Sequence, residues 1–469
     1  MDLDLLGIRT NAADEKARAC KILSVFVDDL HAALLPWLPQ IMHTLIPLLN
    51  TAPFDDMKLA ALATMPELLV ALASSIASPA GVAELLVALA SSIASPAGVA
   101  DYRSSFLFIL DTLLTFISEE TELDLLIPAL QTLNICLEKS VLALEGQKVP
   151  ILQGAELART CEVLEQTLRG SFERRAVRSA ELEQEAWDEE EIEEYREMEH
   201  NENTAHLLIA RNVGAVLQTH SQLALPLVHE ILLEDLLECS DESRTAGDKL
   251  VGLFVMAKIV EFCGKEAFQY YPQFIPIFLR ELHSADADIR EVAAEAIGMA
   301  TTIGKDLVCE IAPRCVKEIE CTLEDPVSRE KCYSKSNAVD VVVLGKVCFY
   351  LGGYLIMLGD HFAFWLNHLP IPDYEESNAE CMRLLCGLLE RGESSLVGEA
   401  NQNIPRILQI LCNSIGVVND GELEKRMLRL VKTIEMQSTP QLMNALWEVL
   451  GAEKSDAVKR KLSEIQNLI

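Results

Sequence analysis

Metal ligation and nucleophilic catalysis would have to come from nine histidines and thirteen cysteines, and their spacing does not gather them. There is no H-E-x-x-H to set two imidazoles one helical turn apart, and His229-Glu230 stands alone as a helix-surface pair. Cys309, Cys315 and Cys321 recur every six residues, which turns each about 240° from the last and scatters them around a helix. Gly264-Lys265 and Gly345-Lys346 lack the earlier glycine, the following Ser or Thr and the preceding strand of a phosphate loop. No G-x-S-x-G elbow is present. The cysteines include no C-x-x-C, and Cys136, Cys348 and Cys386 sit within apolar helical stripes, the pattern of reduced, buried thiols. These patterns call for no metal, no cofactor and no enzyme.

The chemistry that remains is electrostatic. Lys and Arg number 39 against 72 Asp and Glu, a formal charge of −33, which disfavours nucleic acid and anionic membrane and favours basic proteins. Glu230, Glu234 and Glu238 fall at i, i+4 and i+8 of a helix read over Leu223 to Cys239, so three carboxylates share one face. Their repulsion costs a few tenths of a kcal/mol per pair, roughly, and a basic ligand would reverse it. If that helix is the second of its pair, the face lines the surface where repeat proteins hold extended partners. A second candidate is the run Asp188, Glu189, Glu190, Glu191, Glu193 and Glu194, inside a stretch where eleven of residues 181–200 are acidic and Arg196 is the only Lys or Arg. Arg174, Arg175 and Arg178 precede it, so the block can fold back in part on that basic patch. Two readings stay open: a solvated helix extension, or a contact for a basic cargo or a GTPase.

The elements that must position these residues are helices. A chain of 469 residues exceeds what one compact core accommodates, so it forms several domains or an elongated array. Apolar residues recur at i, i+3, i+4 and i+7 in stretches separated by Pro, Gly, Asp or Ser, with no sustained alternation, so the fold is all-α. The expected pairs are Asp14 to Leu30 with Leu38 to Leu49, Asp55 to Ile76 with Tyr102 to Ser118, Leu123 to Leu137 with Ala155 to Phe172, and Thr204 to Thr219 with Leu223 to Cys239. Gly247 to Cys263 then pairs with Ala267 to Leu282, and Ile289 to Ile303 with Leu307 to Leu323. Roughly ten antiparallel pairs recurring about every 40 to 45 residues predict an α-solenoid of HEAT type, each pair burying its apolar face by stacking on neighbours. In the clearest unit, Asp286 to Gly298, Asp288 is the expected helix cap and Ile289, Ala293, Ala296 and Ile297 the buried stripe. Val341 to Gly359 is apolar but carries Lys346 and a Gly pair, which predicts a buried helix and not a membrane span.

Two segments interrupt the rhythm. Glu67 to Ala83 is repeated unchanged at Glu84 to Ala100, and the Ser-Pro-Ala-Gly at 78–81 and at 95–98 is expected to end each copy as a short helix. The other interruption is the acidic block. The organisation is therefore 1–180 HEAT repeats with the duplication at 67–100, 181–203 an acidic insertion, and 204–469 HEAT repeats. The acidic N-terminal residues carry no export signal.

With these residues in view, the sequence resembles the importin-β (karyopherin-β) family, and within it the importin-5 subtype. The resemblance rests on Asp14 to Cys20 followed by Ile46-Pro47-Leu48-Leu49, on the acidic block before Thr204, and on Asp288-Ile289-Arg290 through Ala296-Ile297-Gly298. Trp365-Leu366-Asn367-His368-Leu369-Pro370 with acidic residues after it, and Asn403 to Ile407, add to it. Family members are about twice as long, so the chain looks like their C-terminal half. The resemblance implies a nuclear transport receptor that shuttles between cytoplasm and nucleus. It would bind basic cargo bearing localisation signals, such as ribosomal proteins or histones, contact Phe-Gly nucleoporins and release cargo to the Ran GTPase. The alternative is a HEAT scaffold that assembles a phosphatase-type complex without transport.

Overall fold

The computed structural model describes residues 3–34, 36–52, 54–77, 96–143, 151–184, 188–355 and 361–466. Among them every regular element is helical, and the chain divides into two units, Met1–Cys263 and Gly264–Ile469. Residues 78–95, most of the duplication, lie outside the described residues.

The first unit contains α1 (Leu3–Leu30), α2 (Leu38–Leu45), α3 (Leu48–Thr51), α4 (Asp55–Ala77), α5 (Pro96–Glu119), α6 (Leu123–Ala143), α7 (Gly154–Gln184), α8 (Glu189–Ile231), α9 (Leu233–Cys239) and α10 (Ala246–Phe262). One layer is built as α1 packs on α4, α4 on α6, α6 on α8 and α8 on α10. The other layer holds α5 beside α7, and α9 is tied to α7 through Arg169 and Asp235. Pro96, Ala97 and Gly98 open α5, where they were expected to end a short helix. Proline is tolerated in a first helical turn because its missing N–H has no intrahelical partner there.

The second unit contains α11 (Tyr271–Glu281), α12 (Ala287–Gly304), α13 (Ala312–Glu324), α14 (Ser334–Leu355), α15 (His361–Asn367), α16 (Glu375–Glu390), α17 (Ser394–Val397), α18 (Ile404–Ser414), α19 (Gly421–Gln437), α20 (Pro440–Leu450) and α21 (Ala452–Gln466). Its continuous layer runs α12, α14, α16, α19, α21, with α18 beside α20 in the other.

The helices occur where the periodicity places them, but their pairing is offset by one element. Helix α7 packs on α8, α9 on α10, α11 on α12 and α13 on α14, whereas the expected pairs joined each second helix to the next first one. A solenoid helix is apolar towards neighbours on more than one side, so its stripe alone does not say which neighbour is its partner.

Side-chain detail shows how one unit is held. The cap of α12 is Asp286, which accepts from the backbone N–H of Asp288 and Ile289 at 2.9 and 3.1 Å; Asp288, the expected cap, lies inside the helix. Ile289, Ala293, Ala296 and Ile297 are buried as expected. Arg290 is buried with them, donating to Ser284 O and to Ser328 Oγ at 3.0 Å, with its guanidinium 4.1 Å from the Tyr333 ring centre. One arginine thus clamps the turn before α12 to the segment between α13 and α14. Trp365 on α15 donates from Nε1 to Val341 O at 3.0 Å and lies flat against Gly345, where an added Cβ would come within 2.7 Å of the indole. Among the described residues no helix is long and apolar enough to cross a membrane.

Candidate binding surfaces

The acidic block is continuous with a helix. Asp188 caps α8 in a reciprocal capping box, accepting from Glu190 N and Glu191 N while Glu191 Oε2 accepts from Asp188 N at 2.8 Å. Two of the acidic side chains therefore serve the helix end. Glu190, Glu193 and Glu194 are exposed, Glu193 pairing with Arg196 at 3.1 Å; the side chain of Glu189 lies outside the described ones.

The fold-back on the basic patch is present and fully enclosed at its centre. Glu202 is buried and accepts from Arg174 at 2.8 Å, Arg178 at 3.0 Å and Ser171 Oγ at 2.5 Å. Burial alone would push its carboxyl upward, but the hydrogen bonds from Arg174, Ser171 and Arg178 outweigh it and hold it below the usual range. Arg175 reaches Asp248 on α10 at 2.6 Å. Ser171 Oγ is also 2.7 Å from His206 Nε2, and His206 Nδ1 is 3.6 Å from Asp248 Oδ1. Residues 171, 206 and 248 thus assemble a serine–histidine–aspartate constellation that spacing along the chain did not reveal. It is not a catalytic arrangement, because Ser171 and His206 are enclosed and the serine proton is directed to Glu202. Burial first, and then Arg175, lower the imidazole to about 4, so it is neutral near pH 7.

Glu230, Glu234 and Glu238 are all exposed, but the helix expected over Leu223 to Cys239 is not one element. The backbone leaves helical geometry at His220 (φ −135°, ψ 33°), α8 ends at Ile231, and α9 starts after Leu232. His220 accepts through Nε2 from Leu152 N at 3.1 Å, which ties the kink to the segment before α7. Glu230 and Glu234 therefore sit on either side of a helix break, and Glu238 is paired with Arg244. Helix α9 is the first helix of its pair, so Glu234 and Glu238 do not lie on the second-helix layer, whereas Glu230 on α8 does.

A site that the sequence did not announce lies in the second unit. Residues from α12, α14, α16 and the segment before α19 line a groove of about 720 Å³. Its apolar floor is Met299, Val339, Val342, Val343 and Val418, and its rim carries Glu295, Glu375, Glu376, Glu380 and Asp420 against Lys346 and Arg383. The two cations are already engaged: Lys346 lies 3.8 Å from Glu380, and Arg383 is 3.3 Å from Glu380 and 3.1 Å from Asp420. Glu375 accepts from Asn419 N at 3.1 Å, which fixes the segment closing one end. An apolar floor under an acidic rim suits an extended basic segment with an apolar side chain between its charges. The rim residues are spread over more than 120 positions of sequence, so only the packing of α12, α14 and α16 brings them together. Among the described residues no group of three His, Cys, Asp or Glu side chains is arranged to hold a metal ion.

No family model matches the chain. Over 252 residues it is 23% identical to a probable importin-5 homologue of Dictyostelium discoideum, an alignment covering 51% of this chain and 23% of that protein. The karyopherin Kap121p bound to the SUMO protease Ulp1p superposes with a TM-score of 0.66 at 16% identity, over 96% of this chain and 38% of Kap121p. Kap121p bound to RanGTP superposes with a TM-score of 0.65 at 15% identity, over 96% of this chain and 37% of Kap121p. The chain thus spans well under half the length of the proteins it matches. Its fold is an importin-β-like HEAT solenoid, and the chain is distantly similar to a probable importin-5 homologue and to part of Kap121p.

Proposed function

We propose that this protein is a transport receptor of the importin type that binds basic, Lys- and Arg-rich localisation signals and carries no enzymatic activity. The observation that carries the reading is the acidic groove over an apolar floor, set on a solenoid of which 96% superposes on part of Kap121p, 37% of that protein. Glu375 and Glu376 on the groove rim are the proposed primary contacts for the cargo's ammonium and guanidinium groups. Glu230, Glu234 and Glu238 on α8 and α9, and Asp188, Glu189, Glu190, Glu191, Glu193 and Glu194 at the start of α8, supply two further acidic surfaces, at opposite ends of α8, that steer such partners. Ran GTPase as the releasing partner, Phe-Gly nucleoporins as transport contacts, and passage between cytoplasm and nucleus follow from the family likeness and belong to the same proposal.

The test is a pull-down of the chain with a Lys-rich localisation peptide, with and without RanGTP, at low and physiological salt. Salt-sensitive binding that RanGTP abolishes is the expected result. Binding that ignores RanGTP would limit the chain to holding cargo, and absence of binding at low salt would overturn the proposal.

A further inference from the structure

Arg383 stands on the rim of the acidic groove and bridges two carboxylates that belong to different elements. Its Nη1 donates to Glu380 Oε2 at 3.3 Å, one turn back on α16, and its Nη2 donates to Asp420 Oδ2 at 3.1 Å, just before α19. The carboxylates are held in place by contacts of their own. Asp420 gives its other oxygen, Oδ1, to the cap of α19, accepting from Glu422 N and Leu423 N at 3.1 Å each. Glu375 accepts from Asn419 N at 3.1 Å and so steadies the segment that carries Asp420. Lys346, the other cation of the rim, comes only within 3.8 Å of Glu380 Oε1. The gap between Glu380 and Asp420 is thus filled by a guanidinium, whose planar fork presents two donors at once. The three side chains are 47%, 37% and 36% exposed, and pairs this open to water are weak enough for an incoming group to replace one partner.

We propose that Arg383 is a resident occupant of the groove, standing in the subsite between Glu380 and Asp420 that an arginine of the cargo takes over on binding. The inference rests on the reading of this groove as the cargo site, and it adds which basic residue one part of the groove selects. A cargo guanidinium exchanges one pairing pattern for its equal, while the displaced Arg383 side chain turns out to solvent. An ammonium is a point charge without the fork, so it recovers less of what Arg383 gives up. The subsite therefore favours arginine over lysine, and the resident pair holds affinity below what the carboxylates alone would give. Removing Arg383 strengthens binding, the opposite of the loss expected on reversing Glu375 and Glu376.

Fluorescence anisotropy of the full chain tests this, with two labelled peptides identical but for their basic residues, all lysine in one and all arginine in the other. Arg383→Gln, an exposed position given another good helix former, is expected to tighten the arginine peptide about two- to fivefold and the lysine peptide less. Asp420→Asn keeps a cap oxygen for α19 while removing the charge. In the wild-type background it takes a partner from Arg383 and from the cargo alike, so the arginine peptide is expected to bind within about twofold of before. In the Arg383→Gln background it is expected to cancel the gain. General attraction by one more negative charge would give Asp420→Asn the same effect in both backgrounds, and that additivity would overturn the proposal. An Arg383→Gln chain that binds the arginine peptide no more tightly than wild type would overturn it too, and equal gains for the two peptides would overturn the preference for arginine. Glu375→Lys with Glu376→Lys checks the groove separately. If that reversal weakens binding while Arg383→Gln tightens nothing, the resident-cation inference alone falls; if neither variant changes binding, the groove reading falls with it.

Discussion

Two buried residues test how the solenoid is held at its finest scale. Gly345 is a glycine because the Trp365 indole occupies the space of a Cβ. Gly345→Ala is expected to cost about 1 to 3 kcal/mol, seen as a lower urea midpoint at unchanged slope. His206 makes a prediction in pH. Its folded-state pKa of about 4 lies below the unfolded value near 6.5, so the unfolded chain binds the extra proton first. The contribution of the neutral imidazole is therefore present above about pH 6.5 and lost as pH falls towards 4. His206→Gln is expected to flatten that part of the stability curve, leaving a shallower acid slope than wild type in denaturation series run at successive pH values. Equal slopes would mean that His206 is not the group that titrates.

At the scale of elements, the first half of α8 depends on two anchors of different kinds. The Asp188–Glu191 capping box holds the exposed end, and the Glu202 cluster holds the middle against α7. Removing the charge from a fully buried, triply paired carboxylate leaves Arg174 without its carboxylate and Arg178 with only the longer contact to Glu199 at 3.5 Å, so Glu202→Gln is expected to cost about 3 kcal/mol. It is also expected to raise amide exchange through residues 190–205. Asp188→Ala is expected to cost about 1 kcal/mol and to raise exchange in the first turn alone. Comparable protection in the two variants would show that the acidic extension is not anchored through Glu202. The cap of α12 carries a lesson of the same kind: Asp286 and Asp288 both precede an apolar stripe, and a cap is chosen by where the backbone turns out of the helix, which the aspartates alone do not show.

For the molecule as a whole, charge and packing make separate demands on a partner. A formal −33 attracts any basic protein over a distance of about a Debye length, whereas the proposed cargo groove on α12, α14 and α16 would select by shape as well. Glu375→Lys with Glu376→Lys, both exposed, is therefore expected to weaken a Lys-rich peptide at least about tenfold in fluorescence anisotropy, with the helical circular dichroism spectrum retained and Tm lowered only as far as the loss of the Glu375–Asn419 contact and of two acidic residues from the first turn of α16 requires. The same reversal at Glu190 and Glu194 is expected to act mainly on the association rate. If the groove variant bound as wild type, the cargo contact would lie elsewhere on the solenoid.

By itself the sequence determined that this chain is helical, that the thiols in its apolar stripes, such as Cys136, Cys348 and Cys386, are buried, and where most helices begin and end. Those properties are local: a stripe at i, i+3, i+4 and i+7 needs no knowledge of what covers it. Only the tertiary structure decided which helix pairs with which, that α8 bends at His220, and that Glu230 and Glu234 fall on separate helices. It alone also gathered residues 171, 202, 206 and 248 into one buried cluster and residues 295 to 420 into one groove. The reason is that stacking sets a helix's neighbours, and these lie some 40 residues away. A face buried on both sides reads the same whichever neighbour fills it, while polar residues that meet across three helices carry no spacing of their own.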